Sequence, residues 1–129
     1  GRSRARVVGV EPTGAPKLPR SLAAGRPVTL ERTDSIADGL ITLTVGSIPF
    51  DVLREHRDRL AGVVTVEDDS IREAVQFLHH ECNLVVEPSG AATTAALRCG
   101  ALEPYRQPPL VLVVSGGNVD PALLEGATS

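Results

Sequence analysis

The chain has 129 residues, of which 42% are hydrophobic and 22% are charged. This length fits a single domain, and the composition is typical of a globular protein, which argues against intrinsic disorder. The apolar runs are much shorter than the roughly 18 residues of a membrane-spanning helix. The net charge of −3, with both signs interspersed after Arg6, provides no basic surface for a nucleic acid. We therefore expect a cytoplasmic protein with neither a membrane nor a nucleic-acid partner.

The first half of the chain predicts one buried strand and two helices. An apolar run at residues 7–10 indicates a strand that ends at Glu11. A short helix is expected at residues 21–24. A longer helix is predicted to begin with Ser47 as its N-cap and to end at Gly62.

A short strand at residues 63–64 leads into the most regular predicted helix of the chain. Thr65 and Asp68 resemble a capping box in its acidic variant, and Asn83 is suited to end the helix. Between them, apolar residues recur at helical spacing, namely Ile71, Ala74, Val75, Leu78 and Cys82. This spacing predicts that one face of the helix is buried.

The last third of the chain predicts two more strands around a helix. Residues 84–86 and residues 110–114 are wholly apolar, as strands buried on both faces tend to be. Between them, Ser89 is predicted to cap a helix that runs to about residue 97 and consists of small residues suited to close packing. Strands separated by helices favour an α/β fold with an open, parallel, three-layer sheet and flanking helices.

Polar residues follow three of the predicted strands. These residues are Glu11, Glu87 and Ser115. In open parallel sheets, ligands bind beyond the carboxyl ends of the strands. After Ser115, the glycine at Gly116 allows either a tight turn or a close approach of the backbone to a ligand, and the spacing alone does not separate the two.

Two other groups of reactive side chains do not form a predicted site. Residues 79–82, His-His-Glu-Cys, contain metal-capable side chains, but neighbours on a helix point in different directions and no second cluster supplies further ligands. We expect no metal there. Cys82 and Cys99 are expected to be reduced thiols in the core and not a disulfide.

Four motifs in this order and at this spacing resemble the second half of the pyridoxal-phosphate-dependent threonine/serine dehydratase and serine racemase family, which has fold type II. The motifs are Val8-Gly9-Val10-Glu11-Pro12, Ser35-Ile36-Ala37-Asp38-Gly39, Val85-Val86-Glu87-Pro88-Ser89-Gly90-Ala91 and Val114-Ser115-Gly116-Gly117-Asn118-Val119-Asp120. The resemblance implies that residues 1–129 are a single, partial cofactor-binding domain, the carboxyl half of the dehydratase large domain.

The resemblance also implies the cofactor, pyridoxal 5′-phosphate, and four residues that contact it. Ser115 is expected to hydrogen-bond the pyridine nitrogen, and Glu87 is expected beside the ring. Gly39 belongs to a loop that borders the cofactor and the substrate, and Gly116 lets the backbone come close. These roles are carried over from the family.

Some members of the family, notably racemases, bind a divalent cation at positions that correspond here to Glu11, Ala15 and Lys17. A lysine at the third position repels a cation and is able to pair with Glu11. We therefore predict no metal at this position.

The activity that the resemblance implies is β-elimination from L-threonine or L-serine, which yields a 2-oxo acid and ammonia. This chemistry needs a Schiff-base lysine, and no family lysine motif surrounds Lys17, the single lysine of the chain. No catalytic residue is therefore assigned, and the isolated chain is expected to be an inactive fragment whose missing N-terminal half supplies the lysine. The short stretch after Ser115 favours a parent enzyme without a regulatory domain, and the full-length form is expected to be a homodimer or homotetramer.

Two alternatives stay open. One keeps the fold and changes the reaction to that of a serine racemase or a hydroxyaspartate dehydratase. The other is a non-catalytic, stand-alone remnant that binds a partner subunit through an exposed sheet edge.

Overall fold

The computed structural model describes residues 3–125, which form two strands, five α-helices and three short 3₁₀ turns. In chain order, the strands and α-helices are β1 (Val7–Pro12), α1 (Lys17–Ala24), α2 (Ser47–Glu55), β2 (Leu60–Val66), α3 (Asp68–Cys82), α4 (Pro88–Arg98) and α5 (Pro121–Leu124). The 3₁₀ turns are Asp38–Leu40, Arg57–Arg59 and Glu103–Tyr105. Within the described residues, no helix has the length and apolar character needed to cross a membrane.

β1 and β2 pair in parallel, and helices lie on both faces of the pair. Because side chains alternate along a strand, Val8 and Val10 face the main core, whereas Gly9 and Glu11 face the opposite side. On that side, Leu18 of α1 packs close to Gly9. The parallel sheet with flanking helices, predicted from the order of the elements, is confirmed.

The main core lies between β2, α3 and α4. Its buried residues are Ala37, Val66, Ile71, Ala74, Val75, Leu78, Val86, Ala91, Ala92, Ala95, Ala96 and Leu102. Most of the α4 members are alanines, and short side chains let that helix approach both α3 and the strands closely. The predicted buried face of α3 is confirmed except at Cys82, which is exposed, as is Cys99. Both thiols are free, so the expected absence of a disulfide agrees with the structure, but their expected place in the core was wrong.

The predicted strands at residues 84–86 and 110–114 are not paired as strands among the described residues. Neither segment has regular secondary structure, and several of their side chains are exposed, including Val85, Val111 and Val113. A strand exists only where its N–H and C=O groups meet those of a neighbour. The apolar composition of these two segments therefore did not reveal that they lack a hydrogen-bonded neighbouring strand among the described residues.

The boundaries around α2 and β2 also differ from the prediction. Gly46, not Ser47, is the N-cap of α2, and the helix ends at Glu55 instead of reaching Gly62. Gly62 lies inside β2, opposite Val8, because pairing with β1 extends the strand beyond the two valines that the sequence indicated. The helix predicted at residues 21–24 begins earlier, at Lys17, and ends at Gly25 in the left-handed conformation.

Neither predicted N-cap, Thr65 or Ser89, caps its helix, because Glu67 and Glu87 stand at those positions. Thr65 lies in β2 and does not cap α3, while the Asp68 carboxylate accepts hydrogen bonds from Ser35 Oγ and from the backbone N–H of Ile36. The predicted cap Ser89 is the second residue of α4, and its hydroxyl accepts the N–H of Gly39 at 2.9 Å. A capping side chain accepts a hydrogen bond from an N–H of its own helix. The Asp68 and Ser89 side chains instead accept hydrogen bonds from N–H groups of the segment that contains Ile36 and Gly39, which is neither an α-helix nor a strand. The Asn83 C-cap is confirmed, with φ of 54°.

We predict that Gly90→Ala destabilises the protein by about 1–3 kcal/mol, the usual cost of overpacking. A Cβ at Gly90 would lie well inside the van der Waals distance of the Ser115 carbonyl oxygen, which belongs to backbone that cannot rotate away. Alanine is the better helix former by about 1 kcal/mol, so steric overlap and helix propensity act in opposite directions, and we expect the overlap to dominate. Urea unfolding of the variant measures the difference.

The matched control is Gly9→Ala, because a Cβ at Gly9 meets its neighbours at 3.4–3.5 Å, an ordinary contact distance. This variant should be less destabilised than Gly90→Ala. A Gly90→Ala protein as stable as wild type would show that the segment around Ser115 does not pack on α4 in solution.

Candidate functional site

Glu87 and the backbone that follows Ser115 form one hydrogen-bonded unit. The N–H of Glu87 donates to the carbonyl of Gly116 at 3.1 Å, and its carboxylate Oε2 accepts the N–H of Asn118 at 3.2 Å. Gly116 has φ of 77°, a conformation that favours glycine, and a Cβ there would overlap the Glu87 carboxyl group. The Glu87 carboxylate thus stabilises the turn after Ser115 by accepting the N–H of Asn118.

Gly39 also lies near the Glu87 carboxylate. It is in the 3₁₀ turn Asp38–Leu40, and its N–H is bound by Ser89 Oγ. A Cβ at this position would lie 2.9 Å from Ser89 Oγ and 3.9 Å from Glu87 Oε1. The turn therefore approaches the start of α4 at a distance that only glycine permits.

Ser115 is exposed, so its hydroxyl is accessible to a ligand. Its backbone, in contrast, is fixed, because the Ser115 carbonyl lies over Gly90 of α4 and the next residue bonds to Glu87. The main chain at Ser115 is thus held by α4 while the hydroxyl stays available. The structure brings Gly39, Glu87 and Gly116 into one small region, and Ser115 is joined to it directly along the chain.

Glu11 is not part of this group and is buried at the end of β1. Lys17 Nζ lies 3.0 Å from Glu11 Oε1, and each of the two side chains is only 9% exposed. The other carboxylate oxygen accepts the backbone N–H of Leu18 at 3.0 Å. The expected pairing of Lys17 with Glu11 is therefore present, and Lys17 Nζ also donates to the carbonyl of Leu40 at 2.8 Å.

Two residues that shape this region, Ser89 and Asp68, were not predicted as part of it. Both occur in positions typical of helix caps, and the local pattern was interpreted that way. Asp68 instead binds Ile36, 32 residues away along the chain, and Ser89 binds Gly39, 50 residues away. No local signal distinguishes a cap from such a contact, because both use the same side-chain oxygen.

The described part of the chain holds no cluster of three or more metal-capable side chains. The rings of His79 and His80, near the end of α3, lie in a tilted arrangement with their centroids 5.0 Å apart. The predictions that no metal binds at residues 79–82 or at Glu11 remain predictions.

Comparison with known proteins agrees with this geometry. The model of the pyridoxal-phosphate dependent enzyme family matches residues 1–116. The biosynthetic L-threonine dehydratase of Mycobacterium leprae is 36% identical over 114 residues, which are 88% of this chain and 26% of that protein. The serine racemase of Dictyostelium discoideum is 36% identical over 118 residues, 89% of this chain and 35% of the racemase.

Among solved structures, the threonine deaminase from T.th. superimposes with a TM-score of 0.78 at 42% identity. The match covers 89% of this chain and 37% of that one. The chain thus spans about a quarter to a third of the length of the relatives it matches. The family match covers most of the residues and includes every strand of the structure, so the chain belongs to the family of pyridoxal-phosphate-dependent enzymes.

Proposed function

We propose that this chain is a partial cofactor-binding domain of an ammonia-lyase that converts L-threonine or L-serine into a 2-oxo acid and ammonia. The observation that carries the proposal is the convergence of Gly39, Glu87 and Gly116 beside Ser115, the residues to which the family resemblance assigns cofactor contacts. Residues 1–129 make up this partial domain as a single unit.

The chemistry of this region fits a flat, aromatic cofactor. Gly39 and Gly116 leave bare backbone at two points where any Cβ would overlap Ser89 or Glu87. Glu87 holds the turn through Gly116 and Asn118, so the backbone is set before a ligand arrives.

When bound, pyridoxal phosphate supplies the electron sink that accepts the charge left at Cα after the proton leaves. The hydroxyl of Ser115 would meet the ring nitrogen as a neutral hydrogen-bonding partner. Glu87 and Gly116 would hold the backbone that carries that hydroxyl. Gly39 would border the side from which the substrate enters.

The covalent lysine and the other partners of the cofactor are proposed to come from the rest of the full-length polypeptide. Lys17 is an unsuitable candidate because its ammonium is buried and bound by both Glu11 and the carbonyl of Leu40. The family resemblance alone supports a homodimer or homotetramer in the cytoplasm.

The choice between elimination and racemisation rests on Lys17. Relatives at 36% identity include both a threonine dehydratase and a serine racemase, so overall identity does not separate them. The lysine stands where metal-binding racemase-type members are expected to carry an acid, and it is paired with Glu11. We therefore favour the lyase, with racemisation as the second candidate.

The test is to incubate the purified full-length protein, loaded with pyridoxal phosphate, with L-threonine and L-serine. We expect release of a 2-oxo acid and ammonia in equal amounts. Formation of D-serine without 2-oxo acid would establish racemisation instead. A full-length protein that binds no pyridoxal phosphate would overturn the cofactor assignment and support the non-catalytic remnant.

We predict that Ser115→Ala lowers kcat about tenfold or more in the same assay. A tenfold effect corresponds to about 1.4 kcal/mol, close to the contribution of one hydrogen bond. The control is Ser47→Ala, because Ser47 is an exposed residue at the start of α2 and is not one of the residues of the candidate site. Equal kcat for Ser115→Ala and wild type would remove Ser115 from the site.

We further predict that Gly116→Ala lowers the bound fraction of pyridoxal phosphate more strongly than Gly117→Ala does. Alanine at Gly116 would be strained by the positive φ and would displace the Glu87 carboxylate. At Gly117 the added Cβ would meet only the carbonyl of Val85, at 3.5 Å. Titration of each purified apo-protein with pyridoxal phosphate, followed by cofactor absorbance, ranks the two variants, and the opposite ranking would contradict the assigned turn.

A further inference from the structure

The buried ion pair between Lys17 and Glu11 has no role in the site described above, although it lies close to one of its parts. Burying two charges costs several kcal/mol of solvation for each ion, and the pair alone seldom recovers that cost. The Lys17 ammonium therefore needs all the oxygen partners it can reach. Within residues 3–125 it has two, Glu11 Oε1 at 3.0 Å and the carbonyl of Leu40 at 2.8 Å.

The Leu40 carbonyl connects this ion pair to the candidate site. Leu40 ends the 3₁₀ turn Asp38–Leu40, and its neighbour Gly39 is the residue bound to Ser89 beside Glu87. Two side chains therefore bind the turn. The Lys17 ammonium donates to its last carbonyl, and the Ser89 hydroxyl accepts the N–H of Gly39. Loss of either partner leaves a polar backbone group of this turn unsatisfied.

The same atoms do not fit a divalent cation. The oxygen atoms of Glu11 are occupied by Lys17 Nζ and by the N–H of Leu18, and the carbonyl of Ala15 accepts the backbone N–H of Lys17 at 2.9 Å. Mg²⁺ and Ca²⁺ need six or more oxygen ligands at about 2.0–2.6 Å. The ammonium stands among these oxygens, and its positive charge repels a second cation.

We propose that Lys17 is a positioning residue, an internal and permanently attached cation that holds the cofactor-side turn Asp38–Leu40 in place without a metal ion. The relevance of that turn to the cofactor rests on the proposed function. The hydrogen bond from Lys17 to the Leu40 carbonyl, which we call the tether, does not depend on a substrate. Hydrogen exchange of the turn therefore measures its effect in the absence of substrate.

The first measurement is hydrogen exchange of the backbone amides of Gly39 and Leu40 in the full-length protein, with and without pyridoxal phosphate. In Lys17→Met, exchange at these amides should rise about tenfold or more, because the turn loses its charged anchor. The matched control is Arg54→Met, which removes a cation from the exposed pair with Asp51 and should leave the turn unchanged. Unaltered exchange at the turn in Lys17→Met would overturn the proposal.

A second variant separates positioning from the general cost of an unpaired buried charge. Lys17→Met leaves Glu11 buried without its partner, so the protein itself could unfold. The double variant Glu11→Gln/Lys17→Met carries no unpaired charge and should melt at a higher temperature than Lys17→Met. Its turn should still exchange faster than wild type, since Leu40 still lacks its donor. Wild-type exchange at the turn in the double variant would contradict the proposal.

A third measurement addresses the metal directly. Addition of MgCl₂ or CaCl₂, up to millimolar concentration, to the metal-free wild-type protein should not change its melting temperature, because the cation would have to displace the ammonium. A rise in melting temperature that is lost in Glu11→Gln would show that the site takes a metal and would overturn the proposal. Because no arm of this experiment uses turnover, a protein without lyase activity still tests the tether.

Discussion

The backbone from Ser35 to Ile41 forms neither an α-helix nor a strand, and side chains from the first residues of three helices hold it. Asp68, which begins α3, binds Ser35 and the N–H of Ile36. Ser89, at the start of α4, binds Gly39, and Lys17, which begins α1, binds the last carbonyl of the 3₁₀ turn. A buried or half-buried backbone without regular hydrogen bonds needs partners of this kind. The remaining features of the candidate site depend on this arrangement, because it fixes where Gly39 stands relative to Glu87.

The sequence was informative where one short pattern determines one local structure. The apolar spacing of Ile71, Val75 and Leu78 predicted a buried helix face, and Asn83 predicted its end, since both depend only on neighbours within a few turns. Polar residues at the ends of apolar runs also pointed to Glu87 and Ser115. The local sequence did not predict the hydrogen bond that joins Glu87 to the backbone after Ser115. This bond connects Glu87 with Gly116, which is twenty-nine residues away along the chain.

The errors share a physical origin. Residues 84–86 and 110–114 have the composition of strands, but a strand also needs an edge to pair with, which composition does not describe. Ser89, expected to cap α4, and Asp68, expected to complete the capping box of α3 with Thr65, instead bind the segment at residues 36–39. In both cases, tertiary hydrogen bonds decided an outcome that local propensity left open. The pairing of Lys17 with Glu11 was predictable because the family resemblance placed the two residues at one site, and opposite charges in close proximity attract.

Tyr105 gives this part of the protein an optical reporter. The chain contains no tryptophan and a single tyrosine. The phenol of Tyr105 packs against Gly62 in the middle of β2, so closely that a Cβ there would overlap the ring. In a preparation of these 129 residues alone, the ultraviolet emission of Tyr105 therefore reports on the environment of the paired strands. A tryptophan placed elsewhere in the segment could be excited at longer wavelength and followed separately, so that opening of the sheet and movement of a loop would give two distinguishable signals.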